Sequence, residues 1–188
     1  QRQKSLLSLI LSETLQLFQA EDGILDRSPS RGLGDVYKRQ GLVSNSSIPI
    51  LAQHVDNSKI GSTTGFIIPE LLKKSKVKGS LINHSEHRIS SKEIEKLVLK
   101  LKELKMISIV CVKDIPEVKK YLKINPDFIA IEPPELIGSG KAVSTEKPDL
   151  IQKAASIVNN SKNKTKLLCG AGIVSGEDVA KSVEDVHN

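Results

Sequence analysis

The 188-residue chain has no tryptophan, two tyrosines, three phenylalanines, one methionine and two cysteines. So few rings exclude a stacking platform for unpaired bases and leave Ile, Val and Leu to build any core. Cys111 and Cys169 each stand alone within an apolar run. That spacing supports neither a disulfide framework nor a zinc site, and both read as small buried thiols in a reducing, cytoplasmic compartment. No run approaches the ~18 apolar residues of a membrane helix. Residues 5–17 are moderately apolar after Arg2 and Lys4, but Ser8, Ser12, Glu13, Thr14 and Gln16 interrupt them and no small-residue cleavage site follows. They do not read as a signal peptide.

Arginine is scarce as well. The formal charge is +6, and beyond residue 40 there are 22 basic and 17 acidic residues, a balance of +5. Of those 22, 21 are lysines and the one arginine is Arg88. Nucleic-acid binders combine basic clusters with arginine forks or aromatic stacking, so no nucleic-acid partner is expected and the lysines read as solvated helix faces. A positive field of this kind favours approach of an anionic substrate.

Residues 1–40 differ from the rest. A Leu/Ser/Gln-rich opening gives way over residues 20–40 to a stretch that looks like a translated sequencing adapter. Residues 1–40 are therefore expected to be a non-native or disordered extension, and residues 41–188 the domain proper.

From residue 48 onward, short apolar runs alternate with amphipathic stretches. The runs are 48–55, 78–83, 106–112, 128–132 and 165–170. Their length and Ile/Val/Leu content predict strands buried on both faces. Between and after them, 69–75, 91–105, 114–122, 145–160 and 176–185 read as helices. The clearest is 91–105, where Ile94, Leu97, Val98, Leu101 and Leu104 recur at three- and four-residue steps against a Lys/Glu face, with Ser90 or Ser91 as cap. Pro69, Pro116 and Pro148 fall in the first turns of three others. Such alternation predicts a parallel α/β sheet, closed or open. No G-x-G-x-x-G follows the first strand, which weakens a dinucleotide-binding assignment.

Two strand ends carry chemistry. The run 128–132 ends in Glu132, followed by Pro133-Pro134-Glu135-Leu136-Ile137-Gly138-Ser139-Gly140. A carboxylate fixed at a strand end beside a loop stiffened by prolines at one hinge and freed by Gly138 and Gly140 at the other is the build of a general base under a lid. The run 78–83 ends in Asn83-His84-Ser85-Glu86-His87-Arg88. If a helical turn starts at Ser85, its amino terminus disfavours imidazolium at His84. His54 and His87 show no ligand spacing and read as structural, and no metal site is expected.

These blocks, together with Ala52-Gln53-His54-Val55-Asp56, Gly61-Ser62-Thr63-Thr64-Gly65 and Cys169-Gly170-Ala171-Gly172-Ile173, resemble triosephosphate isomerase in its shorter archaeal form over about residues 48–186. The resemblance implies a partial (β/α)8 TIM barrel holding strands three to seven with their helices. It implies Glu132 as the base and His84 as the electrophile, with Glu86 and Arg88 supporting the histidine loop. Ile137 and Gly172 fall at phosphate-binding positions, and the substrate would be a phosphorylated three-carbon sugar isomerised in glycolysis and gluconeogenesis without a cofactor. Thr63-Thr64-Gly65 matches the loop that reaches into a neighbouring subunit, so the parent protein is expected to be a homo-oligomer, in archaeal members a tetramer. The family's Asn-x-Lys substrate motif has no counterpart in residues 1–47; with strands one, two and eight also missing from the comparison, the chain is expected to be a fragment with negligible turnover. Two alternatives remain: another phosphosugar-binding α/β-barrel enzyme, and a non-catalytic phosphate-binding partial domain.

Overall fold

A computed structural model describes residues 49–133 and 147–169, and residues 17–18 by backbone alone. Within them, one six-stranded, all-parallel sheet runs in chain order: β1 (Leu17–Phe18), β2 (Leu51–Ala52), β3 (Gly79–Ile82), β4 (Ile107–Val112), β5 (Phe128–Ile131) and β6 (Lys166–Cys169). Helices α1 (Pro69–Lys74), α2 (Ser91–Glu103), α3 (Ile115–Leu122) and α4 (Pro148–Asn159) form the crossovers. Every carboxyl end in such a sheet lies on the same side, and that placement assembles the site.

The strands form where β-branched residues crowd. Ile109, Val110, Cys111, Val112, Ile129 and Ile131 are at most 1% exposed, which leaves no polar face to alternate with the apolar one. The sheet is covered by α2, whose Ile94, Leu97, Val98 and Leu101 are buried as their spacing predicts. Ser90 is its cap: the side chain accepts from the Glu93 N–H while the Glu93 carboxylate accepts from the Ser90 N–H, so two orphan donors are satisfied. Pro69, Pro116 and Pro148 sit in the first turns of α1, α3 and α4. Cys111 and Cys169 are buried and not joined in a disulfide.

Three expectations differ from the structure. The run 48–55 yields only Leu51–Ala52 as strand, because Pro49 has no N–H to donate and His54 and Asp56 turn to bond one another at 3.0 Å. No helix begins at Ser85; Ser85 and Glu86 form a single turn closed by the His87 N–H on the His84 carbonyl at 2.9 Å, and α2 starts at Ser91. The opening 40 residues, expected to contribute no strand, pair Leu17 with Leu51 and Phe18 with Ala52. A parallel edge presents unpaired N–H and C=O groups that any extended segment can satisfy. The expected helix at 176–185 lies outside the described residues.

Candidate active site

His84 follows β3 by two residues and Glu132 follows β5 by one, so both stand at the carboxyl edge of the sheet. Strand β4 lies between them. Two inter-strand spacings separate the backbones by roughly 9–10 Å, yet the side chains lean together until His84 Nε2 is 3.5 Å from Glu132 Oε2. The gap over β4 is filled by a small residue. Cys111 is in register with Ala130, so alternation puts Cys111 and Glu132 on one face of the sheet.

Glu132 is positioned by its own backbone, whose N–H continues the ladder onto the Val112 carbonyl at 2.8 Å. Its side chain is 15% exposed. Burial pushes the carboxyl above the ordinary carboxylate range, opposed by the nearby His84 and Arg88 and by the Cys111 thiol. Oε2 is buried without a hydrogen-bond partner, as is the Ser85 hydroxyl. A desolvated, raised, unbonded carboxylate oxygen is a proton acceptor with nothing to displace. The same carboxylate, with burial as the larger cause, holds the Cys111 thiol well above its usual value; that cysteine is no nucleophile.

His84 is oriented by the turn that follows it. The Glu86 N–H donates to Nδ1 at 3.4 Å, so Nδ1 is the acceptor and a neutral ring carries its proton on Nε2, facing Glu132. The Glu86 carboxylate lies 3.6 Å from Nδ1 and is 84% exposed, so it adds little.

Arg88 reaches backbone acceptors at the base of the loop. It donates to the Asn83 carbonyl at 3.1 Å and the Cys111 carbonyl at 3.3 Å, and stands 3.6 Å from Glu117 at the start of α3. His54 and His87 stack with centroids 3.8 Å apart and His54 is held by Asp56, a structural pair joining the loops after β2 and β3. Sequence reasoning missed Asn83. It is 3% exposed, and both ends of its amide are bonded. A buried asparagine directly before a strand-end histidine was the available signal. Ile137, Gly138, Gly140 and Gly172 lie outside the described residues. No group of three potential metal ligands is found among those described.

A cavity of about 470 Å³ opens at the other, amino end of the strands, lined in part by Ser108, Asp127 and Lys164. Its carboxylate is committed to structure: Asp127 accepts from the Ser108 N–H and hydroxyl, both at 2.9 Å. The His84–Glu132 pair lies at the opposite, carboxyl edge.

Comparison with known proteins agrees with that geometry. The family model described as triosephosphate isomerase matches residues 33–186. The chain belongs to the triosephosphate isomerase family. Among its relatives, the triosephosphate isomerase of Cenarchaeum symbiosum is 54% identical over 144 residues, covering 77% of this chain and 64% of that protein. That of Methanothermus fervidus is 46% identical over 140 residues, 74% and 63% respectively, and that of Methanocaldococcus jannaschii 43% over 143, 76% and 65%. The chain spans just under two thirds of the length of these archaeal relatives. Strands β2 to β6 and their helices, which fall within the matched residues, are therefore an arc of a TIM barrel, with the histidine and glutamate at the end where barrel enzymes carry their catalytic groups. No helix among the described residues is long and apolar enough to cross a membrane.

Proposed function

We propose that the barrel to which this chain contributes interconverts dihydroxyacetone phosphate and D-glyceraldehyde 3-phosphate through an enediolate. The observation that carries this is the 3.5 Å approach of His84 Nε2 to Glu132 Oε2, with that oxygen unbonded. Glu132 takes the proton from one substrate carbon and returns it to the neighbouring carbon. His84, neutral, donates from Nε2 to the carbonyl oxygen as charge develops there; a neutral histidine beside a glutamate base is a pairing for which triosephosphate isomerase is the standing example. Burial makes Glu132 a stronger base than a solvated carboxylate, and a dry site is needed because a carbon acid gives up its proton reluctantly. Only protons move, so neither metal nor organic cofactor is required.

Phosphate binding is assigned, from the sequence resemblance alone, to the backbone at Ile137 and Gly172, and a lid hinge to Gly138 and Gly140. Homo-oligomerisation is supported by the loop after β2, where Ile60 and Phe66 beside Thr63-Thr64-Gly65 are 66% and 56% exposed; the tetramer is carried by the sequence resemblance alone. The absence of disulfides among the two cysteines fits a cytoplasmic enzyme. Residues 1–47 contain no Asn-x-Lys motif for the substrate, so catalysis is tested in a chimera in which residues 49–169 replace their counterparts in the Cenarchaeum symbiosum relative. Triose phosphate interconversion by that chimera is expected, and loss of it on His84→Gln. A chimera equally active with His84→Gln would overturn the assignment of the electrophile.

A further inference from the structure

We propose that Asn83 is the positioning residue that sets the ring of His84, a role that rests on His84 being the electrophile. Asn83 is the hinge between β3 and the loop bearing the histidine, and its backbone is left-handed, with φ of 65°. Asparagine tolerates that region better than any other side chain, and glycine would enter it with no strain at all. The backbone therefore explains why the residue is not β-branched. It does not explain why it is not glycine.

The side chain does. Nδ2 donates to the Cys111 carbonyl on β4 at 2.9 Å, and Oδ1 accepts from the Ile89 N–H at 3.1 Å. The amide orientation is fixed by chemistry, since a carbonyl needs a donor and an N–H needs an acceptor. The first bond anchors the loop to the strand that separates His84 from Glu132. The second closes residues 83–89 into a ring whose turn carries the Glu86 N–H that selects the tautomer of His84. The Asn83 carbonyl accepts from Arg88 at 3.1 Å, and Arg88 shares the Cys111 acceptor at 3.3 Å. The main-chain neighbour of that acceptor, Val112, receives the Glu132 N–H. Two residues of β4 thus hold both partners, and Asn83 is the link on the histidine side.

The test is histidine-selective ¹⁵N NMR on the full 188-residue chain and its Asn83→Gly variant. In the parent chain the His84 ring is expected to show the single tautomer protonated at Nε2, and the shift of that nitrogen to follow the titration of Glu132. Asn83→Gly keeps the backbone geometry and removes both side-chain bonds. The ring nitrogens should then move to averaged shifts and lose their response to Glu132, while the spectrum of the rest of the sheet stays put. An unchanged tautomer with an unchanged response would overturn the proposal. If Asn83→Gly does not fold, Asn83→Asp is decisive: it keeps the size and the acceptor for Ile89 but turns a lone pair toward the Cys111 carbonyl. The same loss is expected there, and a parent-like ring would again overturn the proposal. No substrate enters these readouts. A chimera without isomerase turnover would refute the proposed reaction and leave the positioning of His84 intact, whereas turnover with unaltered ring signals would do the reverse.

Discussion

Glu132 and His84 touch across an intervening strand: 48 positions apart in the chain, they stand 3.5 Å apart at the edge of the sheet. Neither backbone is near the other, so the contact depends on what β4 presents between them. Cys111 is small enough to let both side chains lean inward, and its carbonyl is the acceptor on which Asn83 and Arg88 converge.

The carboxyl of Glu132 makes stability pH-dependent with a definite sign. Its pKa is raised in the fold, mainly by burial. Between the ordinary carboxylate value and the folded one, the native state holds more protons than the unfolded state, so stability falls as pH rises through that window. Below the ordinary value the contribution is fully present. Glu132→Gln removes the buried charge, so the variant should melt higher than the parent at pH 7, and the difference should vanish toward pH 4. Thermal melts across that range check it; a variant less stable at pH 7 would contradict the burial argument.

Arg88 and Glu117 should separate cleanly on mutation. The ion pair between them is 3.6 Å long and partly exposed on both sides, so Glu117→Gln should cost less than about 1 kcal/mol. Arg88→Ala also strips donors from the carbonyls of Asn83 and Cys111, and hydrogen bonds to charged groups contribute about 1.5–3 kcal/mol. Urea unfolding should therefore rank Arg88→Ala well below Glu117→Gln. Equal losses would mean that the ion pair, and not the backbone bonds, holds the loop.

Gly79 opens β3 against β4. A Cβ there would lie 2.6 Å from Ile107 Cβ and still closer to the Ile107 carbonyl oxygen. Because the nearest obstacle is backbone within a parallel ladder, it cannot rotate aside, and Gly79→Ala should destabilise by about 1–3 kcal/mol. An unchanged denaturation midpoint would show that the two strands can part without loss.

The first 40 residues are proposed to be a non-native extension despite the pairing of Leu17 and Phe18 with Leu51 and Ala52. Two residues of parallel edge form few ladder bonds, each contributing about 1 kcal/mol net. Deleting residues 1–40 should lower stability by no more than about 2 kcal/mol in a calorimetric or urea melt. A larger loss would mark the segment as part of the fold.

Much of this was legible in the sequence for a physical reason: burial of both sheet faces makes β4 and β5 short, nearly unbroken apolar runs, and α2 repeats its apolar residues at helical steps. Glu132 and His84 were legible because each directly follows such a run. Other features depend on partners far along the chain. Asn83 acts through the Cys111 carbonyl 28 positions away, which no local pattern encodes. The helical turn expected at Ser85 stays a single turn, closed by the His87 N–H on the His84 carbonyl, and the helix expected over 91–105 starts at Ser91 behind its expected cap, Ser90. The strand over 48–55 shrinks to two residues because His54 and Asp56 bond within their own loop.

The decisive measurement is exchange of substrate carbon-bound hydrogen with deuterated water, followed by NMR, in the chimera carrying residues 49–169 and in its Glu132→Gln variant. A carboxylate that lifts a carbon-bound proton passes it to solvent during some turnovers; an amide cannot take it up. With Glu132 in place, deuterium should appear on the carbons that interconvert. In the Glu132→Gln chimera the rate should fall by about 10²–10⁴-fold, the range of a positioned general base. Exchange at the parent rate in that variant would contradict the assignment of Glu132 as the base.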